Sequence, residues 1–187
     1  MDAVSEDVPL MLNRELSVLK FNERVLAMAE RDSTPLLERL RYLCIVSSNL
    51  DEFFEIRISS LKEQQRQSPG ATGADGRTPD ETFEMVQAAA HALTLRQNDL
   101  FIRHVLPALR EEGIDILDPS AWNPQVRAWL KERFDNDVKP LLTPIGLNPA
   151  RPFPRVYNKS LNFIVSLSGV DAFGRVASIA IVQAPRS

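Results

Sequence analysis

The residues best placed to do chemistry lie in SSNLDEFFEIR, positions 47–57, which follows directly on the apolar run Leu43-Cys44-Ile45-Val46. Asn49 carries an amide at a point where its neighbours at helical spacing are Tyr42, Val46, Phe53 and Ile56. An amide walled by such side chains must find hydrogen-bond partners, because leaving it unsatisfied costs about 1–3 kcal/mol. Two readings follow. The side chain bridges to a neighbouring helix, or it meets a ligand that offers a donor and an acceptor together, as adenine does through N6 and N7.

The other candidates carry less. Asp51, Glu52 and Arg57 could form an acid–base centre, but adjacent acids on a helix point away from each other, so solvated ion pairs are expected instead. His91 and His104 stand 13 residues apart with no His, Cys or acid at metal-ligand spacing, and neither belongs to a nucleophile–base set. Both are expected to be surface or packing residues. SPGATGADGR is Gly-rich but lacks the Gly-Lys-Ser/Thr ending of a phosphate cradle, which makes it a flexible surface loop. In RPFPRVYNKS the residues Arg151, Arg155 and Lys159 alternate with Phe153 and Tyr157, a pattern that suits a local anion site and equally a domain junction. No catalytic residue and no metal ligand is assigned within the chain.

These residues need elements to position them. Asn13 can cap a first helix over 14–31, with Leu16, Leu19, Phe21, Val25, Leu26 and Met28 as its apolar stripe. Ser33-Thr34-Pro35 supplies a cap and a first-turn proline for a second helix reaching about Gln67, with Leu36, Leu40, Leu43, Leu50, Phe54 and Leu61 on one face. Ser47 shares the Leu43 and Leu50 face, where a small residue permits close approach of another element. Thr78-Pro79-Asp80-Glu81 has capping-box spacing and opens a third helix to about Glu112, kinked near Pro107 and stopped at Gly113. Three such helices make an α-helical bundle.

After Gly113 the character changes. Asn123-Pro124 starts a fourth helix carrying Val126, Trp129, Leu130 and Phe134, followed by the proline-rich KPLLTPIGLNPARPFPR. LNFIVSL and VASIAIVQ are strand-like, with GVDAFGR as a hairpin connection. The fold class expected is an α-helical bundle over 8–115 followed by the beginning of an α/β (α+β) domain over 116–187, incomplete because a lone hairpin needs further strands.

A chain of 187 residues with 44% hydrophobic and 25% charged residues has globular composition. Its formal charge of −3 gives no global attraction for nucleic acid. Cys44, the one cysteine, excludes an internal disulfide and suits a reducing compartment, with a small core residue as its expected role. MDAVSEDVPLML is acidic and lacks a basic leader or a long apolar run, so neither a secretory signal nor a transmembrane segment is expected. Cytoplasmic location is expected, with which peripheral membrane association is compatible.

Together RELSVLKFNERVLAMAE, PLLERLRYLCIVSSNLDEFFEIR and LTPIGLNPARPFPRVYNKSLNFIVSL resemble the N-terminal part of the histidine-dependent polyphosphate kinases of bacteria. The likeness runs from about Leu12 to the last residues, through the family's helical N-terminal domain and into its head domain, and SSNLDEFFEIR is its most distinctive element. One departure is Val18, where the family usually has Trp in an ELSWL element. The resemblance implies a transferase that reversibly moves the terminal phosphoryl of ATP onto polyphosphate through a phosphohistidine, with Mg2+. It implies ATP/ADP and polyphosphate as partners and a homo-oligomer in the full-length enzyme. Asn49 matches the asparagine that lines the family's ATP-base pocket. Neither His91 nor His104 matches the phosphorylated histidine, so the resemblance implies a chain that holds the base side of the nucleotide and scaffold, and lacks the chemistry. The competing class is a helical adaptor or regulatory protein that keeps the fold without catalysis.

Overall fold

The structure, a computed structural model, describes residues 11–147, 152–157, 159–170 and 179–185. The acidic start over 1–10 therefore lies outside the described residues. Asn13 Oδ1 accepts from the backbone N–H of Leu16 at 3.0 Å and caps α1, Arg14–Glu30. This satisfies one of the donors that a helix start leaves open. Leu19, Asn22, Leu26 and Ala29 form the buried side of α1, at helical spacing of three and four.

The entry to α2, Leu36–Glu52, differs from the expected cap. Pro35 is itself the N-cap residue and makes no side-chain bond, while the Thr34 hydroxyl donates back to the carbonyl of Met28 at 2.9 Å. The hydroxyl closes the α1–α2 turn instead of starting the helix.

α2 runs without a break into a π-helical segment, Phe53–Ile58, and then into α3, Ser59–Gln67. The buried positions along it are Leu43, Val46, Leu50, Phe53, Ile58 and Leu61, spaced three, four, three, five and three apart. The step of five falls on the π segment, whose i→i+5 bonding accommodates more residues per turn. This corrects the regular stripe: Phe54 is 46% exposed while Phe53 is 2% exposed, the two rings meeting edge to face at 6.0 Å. Two further expectations fail on the same face. Cys44 and Ser47 are both exposed, because Leu43, Val46 and Leu50 turn the intervening positions outward.

Thr78 starts α4, Pro79–Leu100, with the capping box in full: its hydroxyl accepts from Glu81 N–H at 3.3 Å and the Glu81 carboxylate accepts from Thr78 N–H at 2.8 Å. A second π segment, Phe101–Val105, precedes α5, Leu106–Glu111, so the irregularity lies one turn before Pro107. Leu100 and Val105, both buried, again stand five apart across it. Gly113 ends α5 with φ of 78°, and the N–H groups of Gly113 and Ile114 donate to the Arg110 and Leu109 carbonyls at 3.0 and 2.9 Å.

α1, α2 and α4 close on one core that includes Leu19, Leu26, Val46, Val86, Val105 and Leu109. Polar ties cross between them: Arg96 forks onto Glu30 at 2.6 and 2.5 Å, and the Gln97 amide donates to the Leu43 carbonyl at 3.0 Å. The 68–77 loop is not loose. Asp75 is buried and accepts from Asn13 Nδ2 at 2.9 Å and Arg77 Nη1 at 3.1 Å, which fastens the loop to the start of α1.

This helical unit ends at Ile116, and a second compact unit begins at Leu117. Asn123 Oδ1 accepts from Val126 N–H at 2.8 Å and caps α6, Pro124–Arg133, which continues into a third π segment, Phe134–Val138. The strands β1 (Ile145–Gly146), β2 (Asn162–Ser166) and β3 (Ile179–Gln183) form an antiparallel sheet in the order β1-β3-β2. Ile181 of β3 faces Ile145 on one side and Ile164 on the other. In the expected connection GVDAFGR, residues 171–175 lie outside the described residues. Among the described residues of this unit, only Ala180 and Ile181 are buried.

Candidate functional site

Asn49 lies in the last turn of α2, half-buried, and faces Asn22 of α1. Asn22 is 1% exposed, a polar side chain in the apolar seam between the helices. Its Nδ2 donates to the carbonyl of Val18, one turn earlier, at 3.0 Å. Its Oδ1 accepts from Asn49 Nδ2 at 2.8 Å. The Asn49 amide thus bridges to a neighbouring helix with one N–H, and among the described residues its Oδ1 and its other N–H have no partner.

Asn49 lines a cleft of about 240 Å³ together with Val18, Phe21, Asn22, Glu52, Phe53, Ile56 and Arg57. Each wall has a local cause. α1 brings Val18, Phe21 and Asn22 to one side because they sit three and four residues apart or adjacent on its turn. The last turn of α2 brings Asn49 and Glu52, and the π segment brings Ile56 and Arg57 over the buried Phe53. π segments concentrate at functional sites, since the widened turn moves side chains off the regular stripe. The volume falls below the roughly 300–1,000 Å³ of sites that enclose a whole drug-sized ligand. It suits one flat ring system with apolar faces and a polar edge.

Neither Glu52 nor Arg57 has an ion-pair partner among the described residues, so the expected solvated pairing fails for those two; Asp51 has its own interaction. The sequence does not mark Phe21 or Asn22 as site residues. Periodicity puts Phe21 on the apolar stripe, yet it is 50% exposed at the cleft, with the Arg24 guanidinium 5.7 Å from its ring. A buried asparagine at the position of a stripe leucine could not be told from a solvated one by periodicity.

The remaining candidates do not join this cleft. His91 and His104 are exposed on α4 and the second π segment, His104 beside Glu30, Asp32, Arg39, Arg96 and Asp99. No group of three or more His, Cys, Asp or Glu that could hold a metal occurs among the described residues. Arg155 and Lys159 belong to the second unit, and Arg151 lies outside the described residues. A larger recess of about 310 Å³ flanks the start of α1, and three of its polar residues, Asn13, Asp75 and Arg77, hold the loop. The Asn13 hydrogen bond is the main cause that holds the Asp75 carboxyl below its ordinary value; burial opposes it and Arg77 adds to it. No helix among the described residues is long and apolar enough to cross a membrane.

Two family models match the chain: the polyphosphate kinase N-terminal domain over residues 11–117 and the polyphosphate kinase middle domain over 125–187. A polyphosphate kinase of Burkholderia cenocepacia (strain HI2424) is 53% identical over 177 residues, which is 95% of this chain and 26% of that protein. The polyphosphate kinase of Paraburkholderia phytofirmans (strain DSM 17436 / LMG 22146 / PsJN) shows the same identity and coverage. The chain therefore spans about a quarter of the length of these curated relatives. The crystal structure of a polyphosphate kinase from Porphyromonas gingivalis is similar in fold, with a TM-score of 0.70 at 24% identity over 92% of this chain and 24% of that one.

Proposed function

Because the chain belongs to the polyphosphate kinase family, we propose that its cleft receives the adenine of ATP, with Asn49 as the base-contacting residue. The observation that carries this reading is the half-used amide: one N–H of Asn49 is held by Asn22, Oδ1 and the second N–H have no partner among the described residues, and the residue lines a cleft of ring size. A donor and an acceptor side by side complement adenine N6 and its neighbouring ring nitrogen. Phe21 and Ile56 offer apolar surface to the faces of the base.

The reaction served is the reversible transfer of the terminal phosphoryl of ATP to polyphosphate through a phosphohistidine. Such transfer needs an activated histidine and cations around the moving phosphoryl. His91 and His104 stand exposed, away from the cleft, and neither takes the histidine's part in this reading. Mg2+ supplies charge neutralisation on the phosphates when bound, and no described residue is assigned to it. Residues 8–115 act as the N-terminal helical domain and 116–187 as the start of the head domain, in a cytoplasmic, homo-oligomeric enzyme.

Asn49→Asp in the full-length protein keeps the size of the side chain and removes both amide donors. ATP affinity should fall by about 1–3 kcal/mol, roughly tenfold to a hundredfold. Affinity and thermal unfolding are measured on the same preparation. Unchanged ATP affinity among folded molecules, with a lowered melting temperature, would return Asn49 to a purely structural bridge between α1 and α2.

A further inference from the structure

The cleft contains a chain of hydrogen bonds with a fixed direction. It begins at the backbone carbonyl of Val18, which can only accept. The Asn22 amide must therefore turn its Nδ2 toward Val18, and does so at 3.0 Å. That leaves Asn22 Oδ1, an acceptor only, facing Asn49, so Asn49 must answer with Nδ2, at 2.8 Å. An asparagine amide alone could sit either way round, its two ends being nearly equal in size. Here a main-chain oxygen two bonds upstream decides which end of Asn49 is oxygen. Asn22 is 1% exposed, so water does not compete for the relay at its centre.

The geometry points to Asn22 as a specificity-determining positioning residue: through Asn49 it fixes the order of acceptor and donor that the cleft shows to a purine, favouring 6-amino over 6-oxo bases. This rests on the reading of Asn49 as the base contact. Adenine presents an N–H donor at C6 beside a ring-nitrogen acceptor, and complements an ordered Oδ1 and N–H pair. Hypoxanthine has the same shape but an acceptor oxygen at C6 and, on its Watson–Crick edge, a protonated N1. On that edge it matches the pair only with the amide reversed, and on the N7 edge it presents two acceptors and matches the amide in neither sense. On the Watson–Crick edge an amide free to turn would serve either base, so there the relay and not the amide itself would supply the discrimination.

The test compares ATP and ITP binding to the full-length protein, its Asn49→Asp form, and two Asn22 variants of opposite expectation. Asn22→Leu offers no acceptor and frees the Asn49 amide, with Asn22→Ala as its smaller counterpart should the leucine form not fold. Asn22→Asp keeps an acceptor toward Asn49 Nδ2. The parent should prefer ATP over ITP by on the order of tenfold. That ratio should shrink to about twofold or less in Asn22→Leu or Asn22→Ala, chiefly through better ITP binding, and survive in Asn22→Asp. A merely structural role for Asn22 would lower the unfolding temperature and weaken both nucleotides alike, leaving the ratio where it was. That unchanged ratio in a folded Asn22→Leu or Asn22→Ala protein, with Asn49→Asp weakening ATP as expected, overturns the relay. Indifference of ATP affinity to Asn49→Asp overturns instead the reading of the cleft as a base site, and the relay's role with it.

Discussion

The helical unit and the unit that follows it use apolar residues in opposite ways. In the first, Leu19, Leu26, Val46, Val86, Val105 and Leu109 are withdrawn from solvent in one shared core. In the second, Trp129, Phe134, Phe153, Phe163 and Ile164 all remain exposed, and burial among the described residues is confined to Ala180 and Ile181 of the central strand. The same contrast holds between π segments. Phe53–Ile58 and Phe101–Val105 each place buried side chains, whereas Phe134–Val138 places none. Similar local patterns therefore contribute stability only where a facing element covers them, and the candidate site lies on the side of the molecule's sequence where they are covered.

The largest expected effect concerns local opening. Amides of α2 around Val46 should exchange only near global unfolding, on the order of 5–15 kcal/mol, while those of β2 should open at a few kcal/mol or less. Equal protection of the two by hydrogen exchange would abolish the contrast. Next in size is core truncation. Leu26→Ala, at a site with no exposure, should cost about 2–5 kcal/mol by denaturant unfolding followed through helical circular dichroism. Ile164→Ala, on an open strand, should cost under about 0.5 kcal/mol, and a larger loss there would show that the sheet is covered after all.

Helix caps sharpen the comparison at about 1 kcal/mol. Thr78→Ala, which breaks the capping box of α4, should lower the midpoint of the helical unit. Asn123→Ala removes a comparable bond at 2.8 Å but should leave that midpoint in place, since α6 belongs to the second unit. The two tryptophans, Trp122 and Trp129, both belong to the second unit, so their fluorescence reports on it separately. The smallest effect is electrostatic. Asp75 has a carboxyl lowered from 3.8, so its stabilising contribution is complete above that value and lost as pH falls through the lower folded one. The stability difference between the parent and Asp75→Asn should hold steady from about pH 5 to 8 and shrink below about pH 4. A difference that grows on acidification would contradict the anchoring of the loop by a charged Asp75.

Much of this was legible in the residues. Asn13, Thr78, Gly113 and Asn123 act at their helix ends because capping chemistry is local and needs no knowledge of the tertiary fold. Asn49 stood out because an amide among large apolar neighbours demands a partner. What periodicity could not give was the identity of that partner, since Asn22 lies 27 residues away and its burial is set by how α1 meets α2. Nor could it give the π segments. A template of 3.6 residues per turn drawn through Leu50 reaches Phe54, and the structure turns Phe53 inward instead. Cys44 failed likewise: an apolar neighbourhood in sequence is not a buried face in space.

The π turn at Phe53–Ile58 has a meaning in codons. The inward positions Leu43, Val46, Leu50, Phe53, Ile58 and Leu61 would be spaced three, four, three, four and three if one residue between Phe53 and Ile58 were lost, which is the regular α-helical repeat. A three-nucleotide deletion inside a core-facing helix ordinarily rotates everything beyond it out of register. Here it would let α2 and α3 join as one regular helix with Ile58 and Leu61 still facing inward, while Ile56 and Arg57 shifted away from Asn49. The extra codon is expendable to the fold and indispensable to the cleft, so a lineage that drops it should keep a folded helical unit and lose its ring-sized niche.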